Sequence, residues 1–350
     1  QASVLNAAQT AVSAAERQVY LSEVKPLIDS LVAYAAIEQF RLIANGSAYF
    51  SLEELIFAGG LPSNQHQYAY WLLDIALQDG LIRQDNTQSG QYQFTELASA
   101  ASAKQSWRLL VDDYPEYLAE LSLLAPRLSS ISEQSVVDAD HTAPNTHLSF
   151  ASVSPSRESV INLIANGAAY RAVHQFGHEA INALIAARTV AQNIDVLELA
   201  SYDSVLAETL TPQLLDNDHY CYRSCDSRSV ARLQESLAKH NAFAASYLAT
   251  PEQFLLPDEE GNNREQRFDL IILSHFLYGS QRPDRLLARL KKLLKPNGLL
   301  ILAEQSPNRL EDFVFGADPQ WWSRSSDQHR RSQLLTAPAL QAWLIQDGFS

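Results

Sequence analysis

The chain has 350 residues, 46% hydrophobic and 19% charged, which is enough to bury a sizeable core and to form two domains. Its formal net charge of −14 excludes a general nucleic-acid binder, which needs a surplus of Lys and Arg to neutralise phosphates; the stretch ARLKKLLK, Ala288 to Lys295, is a local basic exception. No apolar run approaches the roughly 18 to 20 residues that span a bilayer, and the first residues lack a basic segment followed by an apolar one, so no membrane partner is expected and the compartment reads as cytoplasmic.

From Tyr20 to Phe40 apolar residues recur at helical spacing (Val24, Leu27, Leu31, Tyr34, Ile37), and SLEEL opens a second helix with a capping box from Ser51 to Glu54. A third helix, QYAYWLLDIALQDGLI, ends near Gly80 and passes to RQDNTQSGQYQFT, a hairpin with Gly90 in its turn. Three helices followed by a hairpin is a winged-helix-like order. Few basic residues accompany it, so a structural or lid role is expected rather than DNA binding. Ser106 to Leu128 predicts more helix, and the Ser-, Asp-, Thr- and Pro-rich run from Ser129 to Ser159 places a domain boundary near residue 150.

Beyond it, VINLIANGAAYRAVHQFGHEAINALIAAR is helical, and then strand-like runs (IDVLELA, HYCYRSC, FDLIILS, LLILAEQ) alternate with helices. Such alternation predicts a parallel sheet with helical crossovers, whose ligands sit at the carboxyl ends of the strands. Cys221 and Cys225, with no CxxC, indicate neither a disulfide framework nor a zinc site. His174 and His178 lie four apart with Glu179 beside them, a spacing that holds metals elsewhere; without HExxH or a third ligand a solvated helical face is expected and no metal.

The run FDLIILSHFLYGSQRPDRLLARLKKLLKPNGLLILAEQ, then EDFVFGADPQWWSR and LTAPALQAWLIQDGF, resembles the S-adenosylmethionine-dependent carbon-methyltransferase domains of modular polyketide synthases. With the helical first half similar to that family's lid, the resemblance covers nearly the whole chain. It implies an α/β, Rossmann-like class I methyltransferase sheet at 151–350, preceded by a mainly helical, winged-helix-like lid subdomain at 1–150. The family adds a last pair of strands after the position of Gly348-Phe349-Ser350, so the sheet is expected to be truncated.

The family's first strand runs into a glycine-rich turn that lies against the cofactor. Here Leu197, Glu198 and Leu199 are kept, but Ala200, Tyr202 and Ser204 stand where glycines are expected; side chains occupy that space, and non-glycine residues disfavour positive φ. The ribose-binding acidic position matches Ser224, with Asp226 two residues on as a substitute, and the acidic position near the adenine is not met by an Asp, Glu252 being the nearest carboxylate. The family's catalytic Glu matches Glu304, whereas its His position holds Tyr278, whose ordinary pKa of about 10 makes it a poor base at neutral pH. His275, three residues earlier, is expected to be a structural histidine at the strand's end, and stands with Tyr278 as the alternative base. Trp321 and Trp322 read as core packing, as a wall of the substrate tunnel, or as both; Arg324 to Arg331 read as a solvated loop or as contacts to a carrier's phosphopantetheine phosphate.

The resemblance with these departures implies a non-methylating domain of a polyketide synthase, a pseudo-methyltransferase with a structural or carrier-docking role and no bound cofactor. Its partners would be the acyl carrier protein and neighbouring synthase domains. The alternative is an active C-methyltransferase that binds S-adenosylmethionine and methylates the α-carbon of a carrier-bound β-ketoacyl thioester through Glu304.

Overall fold

The computed structural model describes residues 18–58, 60–85, 90–100, 102–138, 154–187, 192–202, 204–256, 267–277, 279–322 and 334–349. The described residues divide into two units: those of 18–163 with 307–322, and those of 164–306 with 334–349. A single cut near residue 150 would leave the double-tryptophan segment with the sheet. The structure instead returns that segment to the helical unit.

In the helical unit a π-helical turn, Tyr20–Val24, leads into α1 (Lys25–Ala44), whose Ile28, Leu31, Val32, Ala35, Ala36 and Phe40 are buried. Asn45, in the left-handed region at φ 47°, closes it. Then follow β1 (Tyr49–Phe50), α2 (Leu52–Phe57), α3 (His66–Gln78), β2 (Ile82–Gln84) and β3 (Tyr92–Phe94). The predicted cap is present, the Glu54 N–H donating to Ser51 Oγ at 3.2 Å. Strand β1, which the sequence pattern does not announce, pairs with β3 to complete a three-stranded antiparallel sheet in the order β1-β3-β2. After α4 (Glu96–Ala100), the helix expected over Ser106–Leu128 is two helices, α5 (Ala103–Asp113) and α6 (Leu118–Asp138). Pro115 bars Tyr114 from helical geometry, and the chain breaks there. Helix α6 runs ten residues into the expected linker, of which 139–153 lie outside the described residues.

Residues expected to form one helix before the sheet form α7 (Arg157–Asn166) and α8 (Ala168–Ala187), split at Gly167. Next come β4 (Asp195–Ala200), α9 (Val205–Leu210), β5 (His219–Ser224), α10 (Ser227–Ser236), β6 (Phe243–Tyr247), β7 (Phe268–Ser274), α11 (Pro283–Leu293), β8 (Leu294–Ala303), α12 (Arg309–Phe315) and α13 (Ala337–Gln346). Of these, α12 belongs to the helical unit. The five strands form one parallel sheet in the order β6-β5-β4-β7-β8, as the α/β reading predicts. Edge strand β6 carries only Phe, Ala, Ser and Tyr, none of it fully buried, so it lacks the apolar run by which the other strands are recognised.

Both faces of the sheet are covered. Ile181 of α8, Leu206 and Leu210 of α9, and Val230 and Leu233 of α10 pack on Val196, Tyr220, Tyr222 and Leu270. On the other face, Leu286, Leu287 and Leu290 of α11 and Leu340, Trp343 and Leu344 of α13 pack on Leu197, Leu199, Ile271 and Leu273. Such a sandwich explains why the strands read as near-continuous apolar runs. Among the described residues no helix is long and apolar enough to cross a membrane.

The β7–β8 pairing carries an irregularity between Phe268 and Leu270, where Gly298 passes close to backbone: a Cβ there would stand 3.1 Å from the Phe268 carbonyl oxygen and 3.0 Å from that of Lys295. Gly298→Ala is therefore expected to cost about 1 to 3 kcal/mol, measured as a lowered urea midpoint, because backbone atoms cannot yield as side chains do.

Candidate functional site

Parallel register brings Ala200, Ser224, Ser274 and Ala303 level at the carboxyl ends of β4, β5, β7 and β8. Two residues back from the end of β4 stands Glu198, a fully buried carboxylate between the buried Leu197 and Leu199. An ionised group there is costly unless hydrogen-bonded. Three hydroxyls meet it. Ser204 donates to both oxygens at 2.7 and 2.6 Å, Tyr220 to Oε2 at 2.7 Å and Ser274 to Oε1 at 3.0 Å. Ser204 Oγ in turn accepts from the Ala207 N–H at 2.9 Å and so caps α9. Burial, and then the Glu198 carboxylate, push the Tyr220 phenol well above its ordinary value, so it stays protonated and donating.

Ser201 and Tyr202, in the turn between β4 and α9, are tied down by neighbouring elements. Ser201 N–H donates to the Ser274 carbonyl at 3.1 Å and its hydroxyl to the His275 carbonyl; Tyr222 donates its phenol to the Tyr202 carbonyl at 2.6 Å. Ala200 is fully buried. Among the described residues of this turn none has positive φ, which is why it is built without glycine. Asp203 lies outside the described residues.

Ser224 and Asp226 serve the next helix. Ser224, fully buried, accepts from the Asp226 N–H at 3.0 Å, and the Asp226 carboxylate accepts from the Arg228 N–H at 3.3 Å and from the Ser229 hydroxyl, capping α10. Glu252 accepts from Ser280 Oγ at 2.9 Å and from the Gln281 N–H at 2.6 Å, fixing the chain beyond β7.

At the end of β7, His275 occupies the left-handed region at φ 55°. Its imidazole is buried against the Tyr170 ring, centroids 4.6 Å apart, and burial with the nearby His174 pushes its pKa down to about 3. It is neutral at physiological pH and too weak a base to hold an abstracted proton. Half-buried Glu304, at the end of β8, accepts through Oε1 from the N–H groups of Phe276 at 2.9 Å and Leu277 at 2.8 Å. Burial nonetheless pushes its carboxyl up to about 8. Tyr278 lies outside the described residues.

His178 contacts Asn182 at 3.1 Å and Gln213 at 3.4 Å, and His174 is held below its ordinary pKa by burial. No metal-holding group of three ligating side chains occurs among the described residues. Burial raises both thiols, Cys225 to about 11, so neither is a ready nucleophile.

Trp321 and Trp322 belong to the helical unit. Trp322 is buried, donates to the Gly316 carbonyl at 2.7 Å and packs with Trp71 at 5.8 Å and Tyr68 at 6.4 Å. Trp321 donates to Asp312 at 2.8 Å and lies on Phe315 at 5.0 Å. Arg324 to Arg331 lie outside the described residues.

Sequence reasoning had singled out Glu198 and Ser204, but neither Tyr220 nor Tyr222. The signal was present as two tyrosines two apart on one face of a buried strand, where their hydroxyls need partners.

A family model described as "Methyltransferase domain" matches residues 172–350. Among curated proteins, the chain is 36% identical over 87 residues to the highly reducing polyketide synthase azaB of Aspergillus niger, a match covering 25% of this chain and 3% of that protein. It is 27% identical over 180 residues to the highly reducing polyketide synthase ALT1 of Alternaria alternata, covering 49% and 7%. The chain thus spans less than a tenth of these relatives' length. Among solved structures, the CurJ carbon methyltransferase superposes with TM-score 0.72 at 18% identity, covering 100% of this chain and 90% of that one. The methyltransferase domain of the citrinin polyketide synthase gives 0.72 at 16%, covering 99% and 88%.

Ser204→Ala removes a partner of Glu198 and the cap of α9 together, and is expected to destabilise by about 2 to 4 kcal/mol in chemical denaturation. Glu304 gives a pH signature. Its folded pKa lies above its unfolded value of about 4.3, so its contribution is fully present below that value and is lost as pH rises through about 8. Glu304→Gln should flatten the fall in stability over that window.

Proposed function

The chain belongs to the methyltransferase-domain family, and from that membership we propose that it is a polyketide synthase domain that keeps the fold but neither binds S-adenosylmethionine nor transfers a methyl group. Its role is structural or carrier-docking, among neighbouring synthase domains and an acyl carrier protein. Similarity to two highly reducing polyketide synthases, of which it matches a small part, supports the setting.

The observation that carries the non-methylating reading is the turn from Ala200 to Ser204. A cofactor seated there needs backbone groups and space at the end of β4, together with acidic side chains for its amino and ribose groups. Here the polar groups turn inward: Glu198 accepts from Ser204, Tyr220 and Ser274, the Tyr202 carbonyl accepts from Tyr222, and Asp226 caps α10. The residues present do not fit the group. Chemistry at the same end of the sheet agrees, because His275 is a poor base and the Glu304 carboxyl is bound to backbone N–H groups with its pKa raised.

Isothermal titration of the chain with S-adenosylmethionine should give no saturable heat at micromolar to millimolar concentrations. A clear micromolar Kd, or methyl transfer to a β-ketoacyl carrier that disappears in Glu304→Gln, would establish the active alternative.

A further inference from the structure

The basic stretch noted in the sequence acquires a geometry on α11. Arg282 stands at the helix cap, and Arg285, Arg289 and Lys292 follow at spacings of three, four and three residues, which places all four in one stripe about 15 Å long. Leu286, Leu287 and Leu290 take the buried side, while Arg282, Arg285 and Lys292 are exposed.

Two other cations of this unit are neutralised: Arg232 pairs with Glu208 at 2.6 Å, and Lys295 with Asp195 at 2.8 Å and Asp269 at 2.7 Å. Among the described residues no carboxylate lies within ion-pair distance of Arg282, Arg285, Arg289 or Lys292. Arg289 lies over the Phe254 ring at 5.2 Å; its Nε is buried without a hydrogen-bond partner, and its Nη1 makes a long 3.5 Å bond to the Leu255 carbonyl.

Folding does not account for this stripe. Like charges three and four residues apart repel, and cations at the amino end of a helix, where Arg282 and Arg285 sit, oppose its dipole. Only Lys292, in the last turn, is favourably placed by that dipole.

We propose that this stripe is the docking surface for an acidic protein domain of the same assembly, one presenting a row of carboxylates. This rests on the docking half of the preceding reading. The occupant follows from charge: a chain carrying −14 repels an acidic partner over most of its surface and admits it at a face of opposite sign. Arg289, held against Phe254, supplies a fixed cation at mid-stripe, and the flanking exposed residues steer the approach.

The test uses the 350-residue chain and, as probe, the acidic carrier domain of the same synthase bearing its phosphopantetheine arm, followed by fluorescence anisotropy. The expected result is binding that weakens as salt rises from 50 to about 300 mM. The triple variant Arg282→Glu, Arg285→Glu, Lys292→Glu should weaken it about tenfold or more, with an unchanged unfolding temperature, and the matching Gln variant should fall between. Equal affinity for wild type and triple variant overturns the proposal, as does absence of salt-dependent binding by the wild type. Displacement of the carrier by millimolar inorganic phosphate would assign the stripe to free anions instead, and also overturns it. None of these outcomes bears on the cofactor titration, so the non-methylating reading stands or falls separately.

Discussion

The arrangement at the carboxyl end of the sheet depends on one buried carboxylate. Glu198 sits in the central strand, where an unpaired negative charge would be prohibitive, and its surroundings are organised to supply hydroxyl donors. Those donors come from three places: Ser204 at the start of α9, Tyr220 in β5 and Ser274 at the end of β7. One side chain therefore joins the central strand to both neighbours and to the following helix. A network of this kind is worth most when fully satisfied, and loss of one member exposes the rest to the cost of burial.

The same logic governs the turn after β7. His275 adopts a left-handed backbone that is uncommon outside glycine, and the structure surrounds it with compensations. Its N–H donates to the Ala303 carbonyl at 2.9 Å, its carbonyl accepts from Ser201, and the next two N–H groups meet Glu304. The two turns are thus linked by Ser201. In a fold whose ligands ordinarily collect at these strand ends, the polar groups of both turns are engaged with one another.

Outside the sheet, the structure spends its charges unevenly. Arg309 forms paired hydrogen bonds with Asp79 at 2.7 Å each, and Lys295 bridges two aspartates at the amino ends of β4 and β7, so these cations hold elements together. In the stripe on α11 only Arg289 packs within the unit, against Phe254 and Leu255, while Arg282, Arg285 and Lys292 are exposed. The proposed docking role of the stripe rests on this clustering of exposed cations along one helix face of an acidic chain.

The parallel sheet was legible because buried strands such as FDLIILS and helices such as PDRLLARLKKLL carry their periodicity locally. So were the cap at Ser51 and the absence of glycine after β4, since each needs only neighbouring residues to be read. What only the tertiary structure decided was every relation between distant residues. Strand β6 is recognised by its pairing with β5, the Trp321–Trp322 segment by packing on Tyr68 and Trp71 some 250 residues earlier, and the tyrosines of β5 by the Glu198 carboxylate that Tyr220 reaches and the Tyr202 carbonyl that Tyr222 reaches. Asp226 could be placed in sequence but not its task, because a carboxylate near a helix start serves a ligand or a cap according to what stands within 3 Å of it. Side-chain identity sets which bonds an atom can make; the fold sets which of them it does make.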